Sequence, residues 1–372
     1  MRINCQKEEL LYGVSSVVKA VSTKNTLPIL GGILITAKDN IVTLRATDLE
    51  MAIECTVSAD VPEGGAVVVP GRYFIELVRH LPDTMIGLES ADGQTLAIYY
   101  EQSQINVRCF DVNEFPALPQ VDGEIKRQIP APLFRKIVKQ STIAAASDEI
   151  RPIFTGVLME IGAEKLTAVT TDTHRMAVCE ITCSGEGEGR VIIPCRNITE
   201  MARLATNDDE PVFITVDRNQ VYFNTGNITF FSRVISGQFP DYKQVIPAPS
   251  MFSTQAVIKR GKLLEALERA SLLSRDQART RGNVIKVQIL NEVLFISADS
   301  PDVGKIREEM PISLEGKELE SSYNVRYLIE ALKVIDEDNI ILRLTGATTP
   351  GVIVPEKETS YLYLILPLRI TN

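Results

Sequence analysis

The chain has 372 residues, 45% hydrophobic and 23% charged, with 39 basic against 48 acidic residues and a net charge of −9. This is a globular composition, long enough for two or three domains with their own cores. No apolar run approaches the ~20 residues of a membrane helix, and the acidic total argues against an evenly basic, nucleic-acid-binding surface.

The N-terminus, Met1-Arg2-Ile3-Asn4-Cys5-Gln6, carries no apolar signal segment, so a cytoplasmic location is expected. A helical pattern over 8–21 opens the chain. Runs rich in β-branched residues, bounded by turn signals, then predict strands at 32–37, 41–47, 51–57 and 66–69. A short helix over 72–81 follows, and strands at 85–90, 95–100 and 104–110 complete the first third. The unit is one strand, one helix and three strands, used twice, which predicts six helices for the chain. Proline-rich linkers are expected at 116–124 and 246–250, and a surface loop at 184–189.

The pattern repeats. Arg72 and Arg196 are 124 residues apart (196 − 72), as are Asp48 and Asp172, and Phe115 and Phe239; 124 is one third of 372. Arg326 and Asp299 mark the third copy, with spacings of 130 (326 − 196) and 127 (299 − 172). Three similar α+β domains are expected, at 1–124, 125–249 and 250–372. The short helix of each copy carries two basic residues seven apart: Arg72 and Arg79, Arg196 and Arg203, Arg326 and Lys333. Seven residues are almost two turns, so each pair shares a face about 10 Å apart along the axis. One such pair would be an ordinary solvated face. Three at matching positions suggest one basic surface built three times, with acidic residues covering the rest.

Catalytic and metal motifs are missing: no HExxH, P-loop, GxGxxG or GxSxG, and two histidines, His80 and His174. Six cysteines are scattered without a CxxC. Four residues of strand would hold Cys179 and Cys183 about 13 Å apart, too far for a disulfide or a shared metal; reduced, buried thiols are expected. No catalytic group, metal or cofactor is expected. A metal-dependent nuclease using Asp48, Asp172 or Asp299 is the competing enzyme reading, although Thr-Asp is more often a strand-turn device. A sequence-specific DNA binder is a third.

Several stretches resemble a known family: Thr26-Leu27-Pro28-Ile29-Leu30-Gly31, Ala46-Thr47-Asp48-Leu49-Glu50-Met51, Thr171-Asp172-Thr173-His174-Arg175-Met176-Ala177, Phe239-Pro240-Asp241-Tyr242 and Leu366-Pro367-Leu368-Arg369. The whole chain is similar to the bacterial DNA polymerase III β subunit, the sliding-clamp family. The resemblance implies a head-to-tail homodimer, a ring of six domains with helices lining the hole around double-stranded DNA. It implies a non-enzymatic processivity factor that partners polymerase subunits, an ATP-driven clamp loader and other proteins carrying a clamp-binding motif, with no membrane.

The resemblance also implies site residues. A peptide-binding pocket would comprise Phe154, Thr171, Thr173, His174, Arg175, Met176, Pro240, Val245, Leu364, Leu366, Pro367, Leu368 and Arg369. The DNA-facing set is Lys24, Arg72, Arg79, Arg151, Arg196, Arg203, Arg326 and Lys333, six of them the residues of the helix pairs. The dimer contact would use Ile105 and Val107 on an edge strand, and Leu272 and Leu273 at the end of a third-domain helix. Relatives often carry Met where Leu366 and Leu368 stand, which implies a narrower peptide preference here.

Overall fold

The computed structural model describes residues 1–23, 27–118, 123–148, 150–217, 219–274, 283–300 and 303–368. Among these lie six α-helices: α1 (Lys7–Val17), α2 (Gly71–His80), α3 (Ala131–Ser141), α4 (Cys195–Leu204), α5 (Arg260–Ser274) and α6 (Val325–Lys333). Every strand pairing among the described residues is antiparallel, and the doubled strand-helix-three-strand unit is present. The chain separates into two compact units.

One unit holds residues 1–134, 184–187 and 196–234. Its nine-stranded sheet runs Gly185–Glu186, Ile125–Ile129, Val212–Asp217, Gln220–Thr225, Ile228–Arg233, Met51–Ser58, Ile41–Thr47, Gly32–Lys38, Gly65–Pro70. The join between its first-third and second-third strands is the pairing of Ile228 to Cys55 through Ser232 to Met51. A five-stranded sheet runs Asp60–Glu63, Arg2–Gln6, Met85–Glu89, Thr95–Tyr100, Ser103–Arg108. Helix α1 lies close on the nine-stranded sheet: a Cβ at Gly13 would stand 2.6 Å from Leu44 Cδ1 and 3.2 Å from Val57 Cγ1.

The other unit holds residues 135–183, 188–195 and 235–372. Its nine-stranded sheet runs Gly189–Pro194, Gly156–Ile161, Lys165–Thr171, Arg175–Thr182, Tyr361–Ile365, Gly351–Pro355, Asn339–Leu344, Thr254–Lys259, Ser313–Gly316. Here the join is Arg175 to Ile365 through Cys179 to Tyr361, the same strand of the repeat meeting the same neighbour. A four-stranded sheet runs Gly304–Pro311, Val293–Ser300, Val284–Leu290, Leu319–Asn324.

The basic helices follow from their spacing. In α2, Phe74, Ile75 and Val78 are buried while Arg72, Glu76 and Arg79 face out. Buried Ile198, Met201 and Ala202 repeat this in α4, and Leu328, Ala331 and Leu332 in α6. Arg79 and His80 in the last turn of α2 suit the negative end of the helix dipole. At α6, the Asn324 side chain caps the first turn by accepting from the Arg326 backbone N–H at 3.0 Å.

Three sequence expectations need correction. The first helix ends at Val17 and continues as a single 3₁₀ turn, Val18–Ala20, rather than running to residue 21. Strands Arg2–Gln6 and Asp60–Glu63, which the pattern did not single out, pair with each other. The 184–189 run is exposed but is not only a loop: Gly185–Glu186 forms a short edge strand against Ile125–Ile129. Arg127 holds it there; nearly fully buried, it donates to the carbonyls of Lys126 at 2.7 Å and Gly187 at 2.6 Å.

Candidate functional site

The Thr-Asp motif forms the same turn twice. Thr47 Oγ1 donates to the Met51 carbonyl at 2.8 Å, and Asp48 Oδ1 accepts from the N–H groups of Glu50 and Met51 at 3.0 and 2.9 Å. In the next repeat Thr171 Oγ1 donates to the Arg175 carbonyl at 2.7 Å, and Asp172 Oδ1 accepts from His174 and Arg175 at 2.9 and 3.0 Å. Leu49 and Thr173 both sit at φ 75°, the left-handed conformation that completes the turn. The carboxylates are thus committed to backbone donors, as a structural turn requires.

The two turns differ in what takes the second carboxylate oxygen. Asp48 Oδ2 pairs with Arg196 of α4 at 3.2 Å. Asp172 Oδ2 accepts from Arg175 Nε at 3.0 Å, and the same guanidinium pairs with Glu330 of α6 and lies 4.1 Å over the Tyr327 ring. Burial works against the Arg175 charge, but Tyr363 and Glu330 outweigh it and raise its pKa. Arg175 therefore braces the turn against α6.

Beside this brace is an apolar floor. Phe154, Met176 and Leu364 are buried in one cluster with Leu158, Phe239 and Tyr242, and Leu366 packs against it half-buried. Met176 is directly opposite Leu364 in the sheet. Phe154 and Phe239 meet edge to face, with centroids 6.0 Å apart. Leu366 N–H donates to the His174 carbonyl at 2.9 Å and Leu368 N–H to Ser322 at 2.8 Å, which fixes the segment carrying Pro367. Of the sequence-derived pocket set, Pro240 and Val245 are exposed and lie outside this cluster; Ile246 takes the packing position instead. Arg369 lies outside the described residues. Phe239, Tyr242, Tyr327 and Glu330 were not in the sequence-derived set, although Phe239-Pro240-Asp241-Tyr242 itself stood out as a motif.

Arg72, Arg79, Arg196, Arg203, Arg326 and Lys333 are all exposed on α2, α4 and α6. Four have carboxylate partners: Arg79 with Glu76 at 2.6 Å, Arg203 with Glu200, Arg196 with Asp48, and Lys333 with Glu268 at 2.8 Å. Among the described residues Arg72 and Arg326 have none. Arg151 and Arg326 line one polar cleft with Thr173, His174 and Tyr327. Lys24 lies outside the described residues. Ile105 and Val107 sit half-buried on Ser103–Arg108 at the end of its sheet, and Leu272, 62% exposed, follows the buried face of α5 with Leu273 half-buried.

No group of three or more potential metal ligands occurs among the described residues. All six cysteines are free thiols. Burial pushes Cys5 and Cys55 up to about 11 and Cys195 up to about 12, so these thiols stay protonated at neutral pH.

Three family models match consecutive parts of the chain: DNA polymerase III beta subunit N-terminal domain over 1–119, central domain over 128–241 and C-terminal domain over 243–369. The beta sliding clamps of Staphylococcus epidermidis and Staphylococcus aureus are 33% and 32% identical, each over 99% of both chains. The chain belongs to the DNA polymerase III beta subunit family. The crystal structure of the Bacillus subtilis DNA polymerase sliding clamp aligns with this clamp over 100% of both chains, with a TM-score of 0.95 and 32% identity. A Pseudomonas aeruginosa sliding clamp bound to griselimycin aligns over 100% of both chains at a TM-score of 0.94 and 29% identity. The clamp fold has three domains of mixed helix and sheet, and its function is that of a sliding clamp in DNA replication. No helix among the described residues is long and apolar enough to cross a membrane.

Proposed function

We propose that this clamp closes as a head-to-tail dimer around duplex DNA in the cytoplasm and tethers the replicative polymerase without chemistry of its own. The observation that carries the reading is a repeated sheet join. The third strand after α4, Ile228–Arg233, pairs with Met51–Ser58, and the third strand after α6, Tyr361–Ile365, pairs with Arg175–Thr182. The third strand after α2, Ser103–Arg108, ends its sheet, and so does Gly304–Pro311, the last-third counterpart of Met51–Ser58. Two open edges that match a join already made twice invite a second copy, and a heterologous contact that closes makes a ring. The three-domain division at 1–124, 125–249 and 250–372 is the frame of this repeat.

The exposed basic residues of α2, α4 and α6 supply phosphate attraction that is independent of sequence, so the ring slides. Arg151 adds to that surface, as does Lys24. The acidic remainder repels DNA elsewhere. Partners dock a short apolar-tipped peptide on the floor formed by Phe154, Met176, Leu364 and Leu366, with Thr171, Thr173, His174, Arg175, Pro240, Val245, Pro367, Leu368 and Arg369 around it. Ile105 and Val107 meet Leu272 and Leu273 of the partner at the ring contact. Opening the ring falls to a separate ATP-driven loader, since this chain has no P-loop.

Primer extension on a primed single-stranded circle, with matching polymerase, loader and ATP, tests the proposal. The expected result is long products in the presence of the clamp and short ones without it. Magnesium-dependent DNA cleavage that disappears in Asp172→Asn would overturn it in favour of a nuclease.

A further inference from the structure

The two sheet joins carry an equivalent row of four residues across four neighbouring strands. At the join in the second unit the row is Leu158, Val169, Val178 and Leu362, each directly opposite the next. All four belong to the apolar floor: Leu158, Val169 and Val178 are buried in its cluster, and Leu362 packs against it. At the join in the first unit the same row is Leu34, Arg45, Glu54 and Thr229. Arg45 and Glu54 stand 124 residues before Val169 and Val178 (169 − 45, 178 − 54). They form an ion pair whose side chains remain 38% and 23% exposed. The rim changes in the same sense. Leu366 N–H donates to the His174 carbonyl at 2.9 Å, and the residue that makes the matching bond at the first join, to the Glu50 carbonyl at 2.9 Å, is the exposed Arg233. Leu49, Phe231 and Arg233 line the cleft that is left there, which holds about 120 Å³, below the roughly 300–1,000 Å³ of ligand clefts.

We propose that Arg45, Glu54 and Arg233 are specificity residues that confine apolar-tipped peptides to the second-unit join, so that each chain docks one peptide and not two. The repeat supplies the same strand register and the same turn at both joins, and an apolar tip would fit either if both floors were apolar. At the first join the tip would have to cover a charged pair that still touches water. Stripping that water from Arg45 and Glu54 without new hydrogen bonds costs more than burying an apolar tip returns. Val169 and Val178 impose no such cost. Leu366 extends the floor outward as apolar surface, whereas Arg233 puts a guanidinium at the same place. The inference rests on the peptide-docking reading above and adds to it the residues that refuse the peptide.

The test is equilibrium dialysis of the full chain against a short peptide tipped with Leu-Phe, read as peptide bound per chain at saturation. Thermal melting of each variant is run alongside. The wild type should bind one peptide per chain, and the triple variant Arg45→Val, Glu54→Val, Arg233→Leu should bind two. The reciprocal variant, Val169→Arg with Val178→Glu, should lose affinity at the second-unit join by about tenfold or more, and it decides the matter if the triple variant does not fold. A wild type that binds two peptides, a folded triple variant that still binds one, or a folded reciprocal variant of unchanged affinity overturns the role of these residues and leaves the docking reading standing. A wild type that binds no peptide overturns the docking reading, and this inference with it.

Discussion

Arg196 Nη1 reaches Asp48 Oδ2 at 3.2 Å, whereas Arg326, its counterpart one repeat later, makes no ion pair among the described residues. The cause is a single position in the turn. Met51 leaves the second oxygen of Asp48 open, while Arg175, in place of a residue that cannot bind it, occupies Asp172 and reaches on to Glu330. One turn, built twice, therefore ties down a helix arginine in the first instance and releases it in the second.

The turn itself should depend on Asp48. Its Oδ1 satisfies two backbone donors in addition to the Arg196 pair. Asp48→Ala should cost about 1–3 kcal/mol, because donors are left unpaired. Asp48→Asn keeps an acceptor and loses mainly a half-exposed ion pair, so its cost should be under about 1 kcal/mol. Urea unfolding of the three proteins measures the difference, and equal costs would contradict the turn's role.

Arg72 and Arg326 should contribute more to DNA attraction than Arg79, whose charge is offset by Glu76 at 2.6 Å. Arg72→Ala or Arg326→Ala should lower the slope of log affinity against log salt by up to about 1, the loss of about one phosphate contact. Arg79→Ala should lower it less. Titration of duplex DNA at several salt concentrations reads the slopes.

Leu366 is half-buried on the floor of the candidate pocket. Leu366→Ala should weaken an apolar-tipped clamp-binding peptide by about 1–2 kcal/mol, or roughly 5- to 30-fold. The fold should survive, since Phe154, Met176 and Leu364 keep the cluster together. Fluorescence anisotropy with labelled peptide measures the first effect and thermal melting the second.

Acid should weaken the tie between Lys136 and Glu358, which are 2.7 Å apart. Burial opposes the Glu358 charge, but Lys136 and Ser360 outweigh it and hold its pKa below the ordinary glutamate value. A carboxylate shifted this way stabilises the fold above its unfolded pKa, about 4.3, and loses the contribution as pH falls through the lower folded value. Glu358→Gln should therefore unfold earlier than wild type in urea at neutral pH, with the gap narrowing toward about pH 3.

Helices and strands were legible because the periods were clean: Phe74, Ile75 and Val78 alternate with Arg72, Glu76 and Arg79 as a two-faced helix must. The repeat was legible because Asp48 and Asp172 recur at one spacing. Arg2–Gln6 was missed because five residues beside a helix start carry too little pattern, and Gly185–Glu186 because its strand depends on the distant, buried Arg127. The apolar floor was only partly legible. Phe239 and Tyr242 are far from Met176 in sequence and meet it through packing that no local period encodes. The partners of the basic residues were invisible for the same reason: Asp48 lies 148 residues before Arg196 (196 − 48).

Retention on DNA tests the ring most directly. The clamp is loaded on a nicked circle with a matching loader and ATP, washed at high salt, and the circle is then cut with a restriction enzyme. A closed ring should survive the wash and leave when the circle is opened. Protein that stays on the linear fragment after the cut would be held by direct contacts, and would contradict a ring that slides.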